Sequence, residues 1–135
     1  MTLTNFPNGI KVSGFVEPAN ATITVGAETG GDTIVTSVQL LDGNGDALAT
    51  SAGVYGYLSD NADGSTLAGT APDTVAAGTD GLMIEVVADK AFLLISEADG
   101  DIDVSIVEDG GDTWYLVLIM PSGRLVISDA ITFAA

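Results

Sequence analysis

IDVSIVEDGGDTWYLVLIMPSGRLVIS, residues Ile102–Ser128, sets two kinds of β-strand side by side. In its opening residues Ile102, Val104 and Ile106 point one way and Asp103, Ser105 and Val107 the other. That period of two places one face on a core and the other in solvent. Thr113–Met120 does not alternate; it is apolar on both faces, which is the mark of a central strand. Met120-Pro121-Ser122-Gly123-Arg124 then turns the chain back into LVIS as a hairpin, and Pro121 is tolerated because it stands at the strand's end and interrupts no ladder.

The same grammar runs outward in both directions. Alternating or β-branched runs occur at Ala21–Val25, Thr33–Leu41, Ser51–Leu58, Leu82–Val87, Ala91–Ser96 and Leu125–Ser128. Clusters rich in Gly, Asp and Asn separate them: GAETGGD, DGNGD, SDNADGS, GTDG, ADG and EDGGD. Seventeen glycines supply the positive-φ positions that such turns need. No window carries a capped apolar period of 3.6, so no long helix is expected. About eight short strands at this spacing predict an all-β fold, an antiparallel β-sandwich or immunoglobulin-like barrel. The expected organisation is an N-terminal arm over residues 1–20 and a sandwich domain over residues 21–135. Ser59–Thr79, rich in Ala, Gly, Thr and Asp, reads as a surface insertion.

Composition narrows what such a domain can do. The 135 residues suit one core, and 47% of them are apolar, with aromatics at only 6%, so Val, Ile, Leu and Ala must build it. Nineteen carboxylates face Lys11, Lys90 and Arg124, a formal net charge of −16. Phosphate binding needs a basic face, and three scattered cations cannot assemble one; nucleic acid and anionic membrane surfaces are therefore excluded as partners. Without cysteine there is no disulfide and no thiolate chemistry. No apolar run approaches the roughly 20 residues of a membrane span or has the build of a signal peptide. The expectation is a protein that works where it is made, or leaves the cell within a larger particle.

Catalysis lacks its usual parts. There is no His and no Cys, no GxSxG elbow and no phosphate-cradling GxxxxGK[ST], so no enzyme and no cofactor is expected. Asp42-Gly43-Asn44-Gly45-Asp46 begins like a calcium loop but has Ala47 and Gly53 where Gly and Glu belong; Asp99-Gly100-Asp101-Ile102-Asp103 fails in the same places, at Val104 and Gly110. Both read as hairpin turns whose Asp and Asn side chains bond the local backbone. Trp114, Phe92 and Phe133 read as core, and Tyr55 and Tyr57 share one face of their strand.

One stretch fits none of this. LTNFPNG at Leu3–Gly9 places an aromatic and two turn-formers near a terminus, where chains usually fray. It resembles the N-terminal segment of many structural proteins of tailed bacteriophages. The likeness continues through VQLLDGNGDALA (Val38–Ala49), YLSDNADGSTLAGTAP (Tyr57–Pro72) and the long segment from Gly78 to Ile131, and is to a β-rich virion family of head decoration proteins. The resemblance implies a non-catalytic capsid decoration or cement protein, located on the virion surface after synthesis in the host cytoplasm. Its implied partners are the major capsid protein and further copies of itself, as a trimer or dimer. Leu3, Phe6 and Ile10 are then candidates to dock on a partner, with Pro7 lowering the entropy cost of ordering the arm and Asn8-Gly9 turning it back. Two other readings compete: an immunoglobulin-like binding module of a head or tail fibre that contacts a host surface, and a small hydrolase using an Asp/Glu dyad.

Overall fold

Turn and strand alternate along the chain, and the strands sort into two antiparallel sheets. The computed structural model describes residues 16–135, so the arm candidates Leu3, Phe6, Pro7, Asn8 and Ile10 lie outside the described residues. Ten strands form: β1 (Asn20–Val25), β2 (Thr33–Leu41), β3 (Gly53–Ser59), β4 (Thr74–Ala77), β5 (Leu82–Val87), β6 (Ala91–Ile95), β7 (Asp101–Val107), β8 (Thr113–Ile119), β9 (Leu125–Ile127) and β10 (Ile131–Thr132). One sheet runs β1-β2-β7-β4; the other runs β10-β8-β3-β6-β5, with β9 also on β8. The fold is an antiparallel β-sandwich. Among the described residues there is no helix, hence none long and apolar enough to cross a membrane.

Alternation decides what lies between the sheets. Ile34, Val38 and Leu40 of β2 and Ile102, Val104 and Ile106 of β7 turn inward from the first sheet, all buried. Val54 and Leu58 of β3, Phe92 and Leu94 of β6, and Trp114, Leu116 and Leu118 of β8 meet them from the second. Trp114 and Phe133 touch edge to face with ring centroids 6.1 Å apart. Gly56 lets β3 pack closely between β6 and β8: a Cβ there would stand 3.2 Å from both Leu94 and Leu118, which would have to shift by a few tenths of an ångström.

β8 is central, paired to β3 on one side and to β9 and β10 on the other. The join between those last two is made by a side chain. The Ser128 hydroxyl accepts the Leu116 N–H at 2.9 Å and donates to the Asp129 carbonyl at 2.7 Å, carrying the ladder across a one-residue slip.

Ser59–Thr79 is not simply a surface insertion. It crosses from β3 to the other sheet, buries Ala68, and contains β4, which pairs with β7 from Thr74↔Val107 to Ala77↔Val104. Four residues of TVAA are too short and too small for their alternation to stand out among Ala and Gly. The same segment accepts the Trp114 indole N–H on the Thr70 carbonyl at 3.0 Å.

Candidate interaction surface

The six strands of the second sheet carry a single charged side chain, Glu85. Register shows what their outer face displays instead. Ile84 pairs with Leu93, Leu93 with Tyr55, Tyr55 with Ile119 and Ile119 with Leu125, an unbroken apolar row across five strands. A parallel row runs Val87, Ala91, Tyr57, Val117 and Ile127. On the other flank Leu82, Ile95 and Gly53 form a shorter row.

The chain covers one part of this face itself. After β3 the loop doubles back so that Gly64, at φ 70°, lies over β8; a Cβ there would stand 3.1 Å from Val117 Cγ2 and 3.3 Å from the Tyr57 hydroxyl oxygen. Tyr57 donates its hydroxyl to the Gly64 carbonyl, and Val117 is fully buried beneath. Burial, and secondarily the Asp63 charge, raise the Tyr57 phenol above its ordinary pKa, so it stays a donor. Asp63 in turn is held below its ordinary value by bonds from Ser65, whose N–H reaches its carboxylate at 3.0 Å. This covering explains why Thr113–Met120 fails to alternate: its outward side is roofed at Val117 and open at Ile119.

The rest of the face is bare. Leu82 is 64% exposed, Tyr55 56%, Ile84 54%, Leu125 42% and Ile119 37%. The longer bare row crosses five strands about 4.8 Å apart, roughly 20 Å in all, and the shorter row lies about 6.8 Å beside it. A contiguous apolar area of this size differs in kind from singly scattered surface hydrophobics. Beside Gly53 it borders a groove of about 350 Å³ lined by Val16, Pro18, Thr50, Ala52, Gly53 and Pro121.

The acidic turns have other work. Asp42 accepts the Asn44 and Asp46 N–H groups at 2.8 and 3.1 Å, and Asp99 accepts that of Asp101 at 3.3 Å. The local backbone bonds are those expected of Asp in turns, but neither turn is a hairpin between paired strands: β2 and β3, and β6 and β7, lie in different sheets. Among the described residues no group of three or more metal-ligating side chains is placed so that it could hold a metal ion. The sequence reading placed the recognition surface in residues outside the described range and missed this one. The available signal was three strands of this one sheet, LMIEVV, AFLLI and TWYLVLI, none with polar alternation. A sheet has only one inner face, so the apolar excess had to emerge on the other.

No family model matches the chain, and no curated protein matches it. Among solved structures it is similar to a cohesin module from a family 33 glycoside hydrolase of Clostridium perfringens, at 18% identity over 88% of this chain and 98% of that one, TM-score 0.46. It is also similar to a chain of the archaellum periplasmic stator complex FlaF and FlaG from Sulfolobus acidocaldarius, at 13% identity over 95% and 98%, TM-score 0.32. Neither likeness is close enough to inform function.

Proposed function

We propose that this protein is a non-catalytic binding module that packs the bare part of its outer sheet face against a larger protein assembly. Following the resemblance in its sequence, that assembly is the head shell of a tailed bacteriophage, which the module decorates and cements. The observation that carries the reading is the plateau of Leu82, Ile84, Tyr55, Ile119 and Leu125 on a chain of net charge −16. Such a chain stays soluble through its carboxylates, so apolar side chains gathered in one place mark where another surface replaces water.

Cementing needs no chemistry. A domain that binds the assembled shell and not its separated subunits stabilises the shell by mass action. Tyr55 stands at the middle of the exposed row, where interface energy concentrates, and tyrosine supplies large contact area with few rotors to immobilise. The test is sedimentation with mature capsids that lack the protein, counting copies bound. Saturable binding near the shell copy number, abolished by Tyr55→Lys, is the expected result; Tyr55 is exposed, so the fold survives the change. A chain starting at Ser13 reports on the arm: loss of binding assigns Leu3, Phe6 and Ile10 a share of the contact. Absence of binding by the full-length chain overturns the capsid reading, and full binding by Tyr55→Lys overturns the face.

A further inference from the structure

β5 is the outer strand of the second sheet, and no described strand lies on its far side. The ladder settles which of its peptide groups are unused. The Ser96 N–H bonds the Ala52 carbonyl and the Leu58 N–H bonds the Lys90 carbonyl, so the even-numbered residues of β6 turn toward β3 and the odd-numbered ones toward β5. Ile95 and Leu93 therefore engage Leu82 and Ile84, their partners in register. Met83 and Glu85 are left with N–H and C=O directed outward along the edge.

Natural sheets blunt such an edge with charge, proline or a bulge. Here a register shift falls between Glu85 and Val87, at the far end, and leaves Leu82 to Glu85 regular. The one charge on the strand is withdrawn: Glu85 Oε2 accepts the Asp89 N–H of its own hairpin turn at 2.8 Å. Leu82, Ile84 and Val86 stand 64, 54 and 61% exposed.

We propose that β5 pairs antiparallel with β5 of a second copy about a two-fold axis at Ile84, joining the two outer sheets into one. The occupant is a second copy because this edge complements itself. About that axis Met83 exchanges both backbone bonds with Glu85 of the other copy, which uses every outward group just identified. Ile84 meets its own mate in the non-bonded pair, and Leu82 stands opposite Val86, so each exposed apolar side chain acquires an apolar neighbour. Charge opposes this approach less than others. Two bodies of −16 repel over most of their surfaces, and this strand offers them a strip whose only carboxylate is turned aside. Pairing also continues the row Ile84, Leu93, Tyr55, Ile119 and Leu125 into its mate. The inference thus extends the proposed docking face but does not depend on what docks there.

The absence of cysteine makes the test clean. Residues facing each other in a non-hydrogen-bonded antiparallel pair have Cα atoms about 4.5 Å apart, within disulfide range. Ile84→Cys should form an intermolecular disulfide under mild oxidation, whereas Leu82→Cys, facing position 86 of the other copy, should not. Sedimentation of the full chain across a concentration series should show a monomer–dimer equilibrium that Ile84→Arg shifts to monomer, with an unchanged circular dichroism spectrum. Monomer throughout for the unmodified chain overturns the proposal. So does cross-linking of Leu82→Cys equal to that of Ile84→Cys, or a dimer that survives Ile84→Arg. Capsid binding does not enter these measurements, so the docking reading and this one fail separately.

Discussion

Four polar side chains are buried among the described residues: Ser59, Ser96, Ser128 and Thr36. The three serines are bonded. Ser59 accepts the Asn61 N–H, Ser96 accepts that of Ala52 and donates to Glu97, and Ser128 bridges Leu116 and Asp129. Thr36 differs, for its fully buried hydroxyl has no partner. It lies on the inward face of β2 between Ile34 and Val38, and pairs in register with Val25 and Val104. A hydroxyl stripped of water with nothing in exchange destabilises by about 1–3 kcal/mol. Valine has nearly the same shape and the same preference for strands. Thr36→Val should therefore raise stability by about 1 kcal/mol, read as a higher urea midpoint at unchanged slope. A lower midpoint would mean that the hydroxyl is bonded in solution.

Elements divide into those the sequence made legible and those it hid. Thr33–Leu41 and Leu82–Val87 are legible to the residue, because β-branched runs bounded by Gly and Asp leave a strand little latitude. β4 and β10 were hidden: four small residues and two residues carry too little pattern, and only their partners β7 and β8 make them strands. The interaction face was half legible. Apolar strands were visible, but which side of a sheet is roofed depends on where the Asp60–Asp73 connection folds. The β6–β7 connection, which carries the chain from one sheet to the other, shows a further property that needs three dimensions. It gathers Glu97, Asp99, Asp101 and Asp103 against Asp80, whose N–H donates to the Asp103 carboxylate. The Asp80 charge, then desolvation and Asp99, raise the Glu97 pKa; desolvation, then Asp99 and Asp80, raise that of Asp101. A carboxyl whose folded pKa lies above its unfolded one is protonated more readily when folded. Its ionised form opposes folding at neutral pH, and the penalty is relieved as pH falls through the folded value. Asp80→Asn should accordingly raise the denaturation midpoint at pH 7, with the advantage shrinking once the carboxyls of both chains are protonated. An equal gain at both pH values would assign it to something other than charge.

For the whole molecule the question is how a strongly anionic body associates at all. Of its nineteen carboxylates only Glu85, Asp101 and Asp103 lie within strands; the rest sit in turns and connections, at the ends and margins of the sandwich. Charge is thus kept off the outer face of the second sheet and piled around it. Two copies meeting along β5 bring those margins together without a compensating cation among the described residues, since Lys90 bonds its own Gly69 carbonyl at 2.9 Å and Arg124 lies in the β8–β9 turn. The repulsion acts through solvent over distances comparable to the screening length, about 10 Å at 0.1 M salt and about 3 Å at 1 M. The dimer should therefore tighten as sodium chloride is raised from low ionic strength, and tighten again as pH is lowered toward the carboxylate range. An interface built on ion pairs responds to salt in the opposite sense. Sedimentation equilibrium on the unmodified chain at several salt concentrations decides the matter. A dissociation constant that falls with salt fits an apolar strip ringed by like charge, and one that rises would place ion pairs in the contact and move it away from the apolar strip of β5.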